Sequence, residues 1–101
     1  MINNEVSTSS LLAELGNRLK QARLARNESQ ELFSSRLGIS RQSFAKMEKG
    51  DPAIAIGHWL NASQLLGKLH SWQSVLQSEK NLFDQFEQSQ SGRQRAGKKQ
   101  K

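Results

Sequence analysis

The sequence predicts an all-α chain of five helices, the last one extended, ahead of a disordered basic tail. Three observations carry that expectation. Apolar residues recur at three- and four-residue steps, the period of helices with one inward face. Serines stand where helix starts need a side-chain acceptor, and glycines stand where helices must stop. A Gly50-Asp51-Pro52 run breaks the chain near its middle, since proline is excluded from a helix interior.

In chain order, residues 1–9 are polar and read as a flexible N-terminus. Ser10 caps a first helix running to about Arg26, with Leu11, Leu15, Leu19 and Ala22 as its inward stripe. Asn27-Glu28 forms a turn, and Ser29 caps a second helix whose apolar stripe is Leu32, Phe33 and Leu37. Gly38 closes that helix in the left-handed conformation, Ser40 caps a third over Arg41 to Lys49, and Gly50 stops it. Ala53 to Ile56 reads as an irregular connection. A fourth helix follows over about Gly57 to Leu66, burying Trp59, Leu60 and Leu66, with Gly67 at its end. A fifth is expected from about Ser71 to Gln88 on the recurrence of Trp72, Val75, Leu76, Glu79, Leu82, Phe83 and Phe86. Its far end, Leu82, Phe83 and Phe86, exceeds what a small core must bury and reads as a dimer or partner surface. The expected organisation is therefore 1–9 flexible, 10–89 one helical domain, and 90–101 a disordered basic tail.

The third helix has two faces of different chemistry. Phe44, Met47 and Glu48 share one side; Arg41, Gln42, Ala45, Lys46 and Lys49 share the other. An outward stripe of Arg, Gln, a small Ala and Lys suits the DNA major groove. Arginine and glutamine can bond base edges in pairs, alanine permits close approach, and lysine meets phosphate. An ordinary solvated face would also be basic, but it leaves the preceding short helix and glycine turn unaccounted for. Together these form the helix-turn-helix arrangement. Arg41, Gln42, Ala45 and Lys46 are thus the base-reading candidates. Arg23 follows Leu19 by four residues and so lies inward, where a lone charge is costly. Glu48 lies inward on the third helix, and an Arg23–Glu48 ion pair is expected to tie the two helices.

Residues from about Leu15 to Leu69 resemble the helix-turn-helix family of phage Cro and CI repressors and the Xre regulators. The resemblance is carried by Leu19, Arg23, Ser29-Gln30, Leu37-Gly38-Ile39-Ser40, Met47-Glu48-Lys49-Gly50 and Leu65-Leu66. Ser34 stands where that family usually has alanine, and Phe33 is bulkier than its common leucine. The resemblance implies a lambda-repressor-like domain and two copies on a palindromic operator, with recognition helices about 34 Å apart in successive major grooves. It also implies that Gln30, Ser43 and Lys49 position phosphates, and it agrees with the Arg23–Glu48 pair. The run from Gly50 to Gly57 is similar to the HipB-type regulators encoded beside HipA-type toxin kinases. That likeness implies an autoregulating antitoxin with a HipA-like kinase or other operon-encoded partner. A stand-alone Xre or phage-type regulator is the alternative.

Charge agrees with a polyanionic partner. The chain is 101 residues long with formal net charge +6, and 35% of it is hydrophobic, enough for one small core. From Arg18 to Lys49 eight basic residues face only Glu28, Glu31 and Glu48, and five more follow Gly92 with no acid. The absence of Cys excludes disulfides and thiolate metal sites. No stretch approaches a signal peptide or a membrane span, so a cytoplasmic, nucleoid-associated protein is expected. Enzymatic motifs are missing: the sequence has no Gly-rich phosphate loop, no Cys nucleophile and no HExxH pair. His58 and His70 have no adjacent acid and read as packing or surface residues, so neither metal nor cofactor is expected.

Overall fold

The structure, a computed structural model, describes residues 6–79. Its four α-helices are α1 (Thr8–Ala25), α2 (Gln30–Leu37), α3 (Arg41–Glu48) and α4 (Ile56–Leu65), with a 3-10 turn at Leu69–Trp72. No strand occurs among the described residues. The chain divides into two units, Met1–His70 and Ser71–Lys101.

In the first unit α3 is the central element, packed against both α1 and α2, and α4 packs against α2. Phe33, Phe44 and Met47 are fully buried, and Leu19, Trp59 and Ala62 complete the core. The rings of Phe33 and Phe44 meet at 5.2 Å with a 30° tilt, within the range favoured by aromatic pairs. Ser34 is buried, and its hydroxyl donates to the Glu31 carbonyl at 3.1 Å, so no polar group is stranded by its presence in the core.

Helix α1 starts earlier than the sequence suggests. Ser7, not Ser10, is the cap: its hydroxyl accepts from the Ser10 amide at 3.1 Å, and the Ser10 hydroxyl accepts from the Ser7 amide at 3.2 Å. Ser10 is the reciprocal partner three residues in, so Thr8 and Ser9 belong to the helix and not to a flexible terminus. The inward face is also rotated from the expected one. Leu11 is exposed, whereas Leu12 and Leu15 are half-buried and Gly16, Leu19 and Arg23 are buried. The face is centred on a residue without a side chain, which hydrophobicity counting passes over.

Gly16 is where α1 meets α3. A Cβ there would strike the Glu48 carbonyl oxygen, with the Glu48 carbonyl carbon at 2.7 Å and the Met47 oxygen at 2.8 Å. Gly50 answers it from the other side. It has φ +81°, and a Cβ there would lie 2.7 Å from the Leu12 carbonyl oxygen. The two glycines let the backbones of α1 and the end of α3 touch directly.

The turn between α2 and α3 follows the expected chemistry: Gly38 sits at φ 75°, and Ser40 accepts the Ser43 amide at 3.0 Å. Leu32, expected inside, is exposed, while Leu37 is half-buried. After α3, Asp51 Oδ1 accepts the Ala53 amide at 2.8 Å across Pro52, fixing the bend. In α4, Trp59 and Ala62 are buried, and Leu60 and Leu66 are half-buried.

The expected fifth helix does not begin at Ser71. Val75 bonds back to Trp72 and Gln77 to Ser74, three-residue turns in place of an α-helical ladder. Leu76 takes a left-handed φ of 66°, which a continuing helix cannot contain. Val75 and Leu76 are accordingly exposed. Residues 80–101, including Leu82, Phe83, Phe86 and the basic tail, and residues 1–5 lie outside the described residues.

Candidate nucleic-acid interface

Helix α3 is eight residues long, capped by Ser40 and held on its buried side by Phe44, Met47 and Glu48. That anchoring fixes its rotation about its own axis. Arg41, Gln42, Lys46 and Lys49 are therefore exposed, with Ala45 and Ser43 half-buried at the edge of the same surface. Among the described residues, the side chains of Gln42, Lys46 and Lys49 have no hydrogen-bond or ion-pair partner. The Ser43 hydroxyl accepts from Ser40 Oγ at 3.1 Å.

Below this surface lies a buried charge pair. Arg23 Nε donates to Glu48 Oε2 at 2.7 Å and Nη2 to Oε1 at 3.1 Å, a two-bond fork. The side chains are only 7% and 4% exposed. The third guanidinium nitrogen, Nη1, donates to the Glu28 carbonyl at 2.8 Å, so all of Arg23's nitrogens are used. The pair ties α1 to the end of α3 beside the Gly16 contact. Desolvation offsets much of its attraction, so its effect falls on orientation more than on net stability.

Gln30, at the first turn of α2, links this pair to the surface. Its Nε2 donates to Glu48 Oε1 at 2.9 Å, and its Oε1 accepts from Arg41 Nη1 at 3.3 Å. Thus Arg23, Glu48, Gln30 and Arg41 form one chain of hydrogen bonds from core to surface, which the sequence reading did not connect.

Glu28, in the turn before α2, joins the two arginines that flank it. Its Oε2 accepts from Arg36 at 2.8 Å and lies 3.4 Å from Arg26, and Arg26 also donates to the Leu65 carbonyl. Its other oxygen is buried and has no partner among the described residues. The sequence signal is an acid in the turn before α2, with one arginine two residues before it and another eight residues after it. With Arg18 paired to Glu14 as well, the basic stretch resolves into internal ties and a smaller set of uncommitted cations, Lys20, Lys46 and Lys49. Lys46 lies on α3 and Lys49 is the residue that caps its end.

No helix among the described residues is long and apolar enough to cross a membrane. Comparison with protein-family models, with curated proteins and with solved structures finds no match to this chain.

Proposed function

We propose that this chain is a sequence-specific DNA-binding transcriptional repressor that inserts α3 into the major groove. The observation that carries the reading is the outward face of α3. Arg41 and Gln42 offer donors suited to guanine and adenine edges, Ala45 leaves room for close approach, and Lys46 and Lys49 are unpaired cations. A solvated face needs no rigid mount, yet this one rests on a buried ion pair and a direct backbone contact. In this reading the described helices are a lambda-repressor-like domain, and two copies occupy a palindrome. The base readers are Arg41, Gln42, Ala45 and Lys46, while Ser43 and Lys49 meet phosphate.

The test is selection from a library of random-sequence duplexes by the full chain, followed by gel shifts on the enriched duplexes. Enrichment of a palindrome with half-sites one helical turn apart supports the reading. Retention of no preferred sequence overturns it.

A finer reading places the protein in a toxin–antitoxin operon, as the autoregulating partner of a HipA-like kinase. It is favoured by the Gly50 to Gly57 run, which forms the bend and entry into α4. Co-purification with the product of the neighbouring gene tests it, and failure to bind leaves a stand-alone Xre-type regulator.

A further inference from the structure

We infer that Arg26 and Arg36 form a docking site for a carboxylate on a protein partner, apart from the outward face of α3. The inference does not depend on the DNA reading. Both arginines share one oxygen of Glu28: Arg36 Nη1 donates to Oε2 at 2.8 Å and Arg26 Nε at 3.4 Å. Two positive charges thus stand side by side around one negative charge. Arginine ordinarily meets a carboxylate through two parallel bonds, as Arg23 meets Glu48. Neither arginine does so here. Each gives Glu28 a single nitrogen, although Glu28 Oε1 is buried without a partner among the described residues. Arg36 Nε and Nη2 and Arg26 Nη2 make no hydrogen bond among those residues. The arginine side chains are 41% and 43% exposed, against 12% for Glu28. The carboxylate is largely covered, while the two guanidinium groups keep unused donors and a solvent face.

The pair is also held in place. Arg26 Nη1 donates to the Leu65 carbonyl at 3.2 Å, supplying a cation to the end of α4, whose own last turn has no basic residue. Arginines fixed in this way lose less rotamer freedom when a further acceptor binds. Their place on α2 favours a protein over a duplex. Around the helix, Gln30 and Leu37 flank Phe33 on one side, and Leu32 and Arg36 flank it on the other. Gln30 is the residue that meets Arg41, so Arg36 stands on the flank turned from the reading face. Leu32, one turn before Arg36, is exposed. A phosphate backbone has nothing apolar to set against that leucine. A protein segment carrying an acidic and an apolar side chain satisfies both, the pairing that arginine-centred interfaces use.

The test titrates the 15N-labelled full chain with a capped peptide of alternating glutamate and leucine, read at the arginine Nε–H resonances. Those of Arg26 and Arg36 should shift saturably, and a peptide with glutamine in place of glutamate should leave them unmoved. Arg26→Lys and Arg36→Lys keep the charge but lose the planar fork; each should lower peptide affinity about fivefold with the cooperative melt retained. Leu32→Ala should lower it about threefold. No saturable shift at the two arginines overturns the inference, and this measurement on the wild-type chain stands whether or not a variant folds. Undiminished affinity in both lysine variants reduces the site to unspecific charge and also overturns it. Stronger binding of inorganic phosphate or of a random-sequence duplex at the same two resonances assigns the pair to phosphate instead. Peptide shifts at Arg26 and Arg36 with no duplex enriched by wild type would leave this site intact and remove the DNA reading alone.

Discussion

Replacing Gly16 with alanine sets two effects of known size against each other. In a helix interior the change ordinarily stabilises by about 1 kcal/mol, because glycine loses more backbone freedom on folding. Here the added methyl meets backbone, not a flexible side chain: the Glu48 carbonyl carbon at 2.7 Å and the Met47 oxygen at 2.8 Å. Ordinary contact begins near 3.4 Å and the Glu48 carbonyl oxygen is nearer than either of these atoms, so α1 and α3 must part by about 1 Å. Overpacking of this kind costs about 1–3 kcal/mol, and a clash with three backbone atoms belongs at the upper end. The expected net loss is about 2 kcal/mol, or a fall in Tm of roughly 8–16 °C for a unit of this size. The Arg23–Glu48 fork spans the same crossing and loosens with it. Gly57→Ala is the control, since nothing lies within 4 Å of its Cβ site in the first turn of α4. It should gain about 0.5–1 kcal/mol. Urea titrations followed by circular dichroism on the two variants and wild type decide the matter. Equal or greater stability of Gly16→Ala would refute the reasoning.

Further outcomes follow from the same geometry. Glu48→Ala leaves Arg23 buried without its fork and should cost about 3–5 kcal/mol, seen as a collapsed urea midpoint. A midpoint within error of wild type would remove the pair from the fold's support. Ser40→Ala removes the α3 cap and should cost about 1 kcal/mol, with little change in the denaturant slope. On enriched duplexes, Arg41→Ala should relax one operator position by about 1–3 kcal/mol. Lys49→Ala should instead weaken all sequences alike and reduce the salt slope by about one. Intact discrimination in Arg41→Ala would show that α3 reads bases with another residue.

The sequence by itself determined the helical class, the α2–turn–α3 unit and the two faces of α3. These depend on local rules: serine oxygens reach amides three residues on, glycine alone takes φ near +75° cheaply, and spacing within one short helix sets which side chains share a face. It also brought Arg23 and Glu48 to the inward sides of their helices. The rotation of α1 and the junction at Gly16 and Gly50 were decided only by tertiary packing, because close backbone approach is made by residues that carry no apolar signal. The same holds for Glu28 and Gln30, whose partners lie up to 18 residues away and whose roles arise when α1, α2 and α3 converge. The start expected for the fifth helix shows the opposite failure. Its stripe is periodic, yet the chain from Ser71 to residue 78 follows three-residue turns and a left-handed Leu76. Periodicity records which face a helix would bury, whereas over residues 71–78 Val75 and Leu76 are exposed, so no burial rewards a helix there.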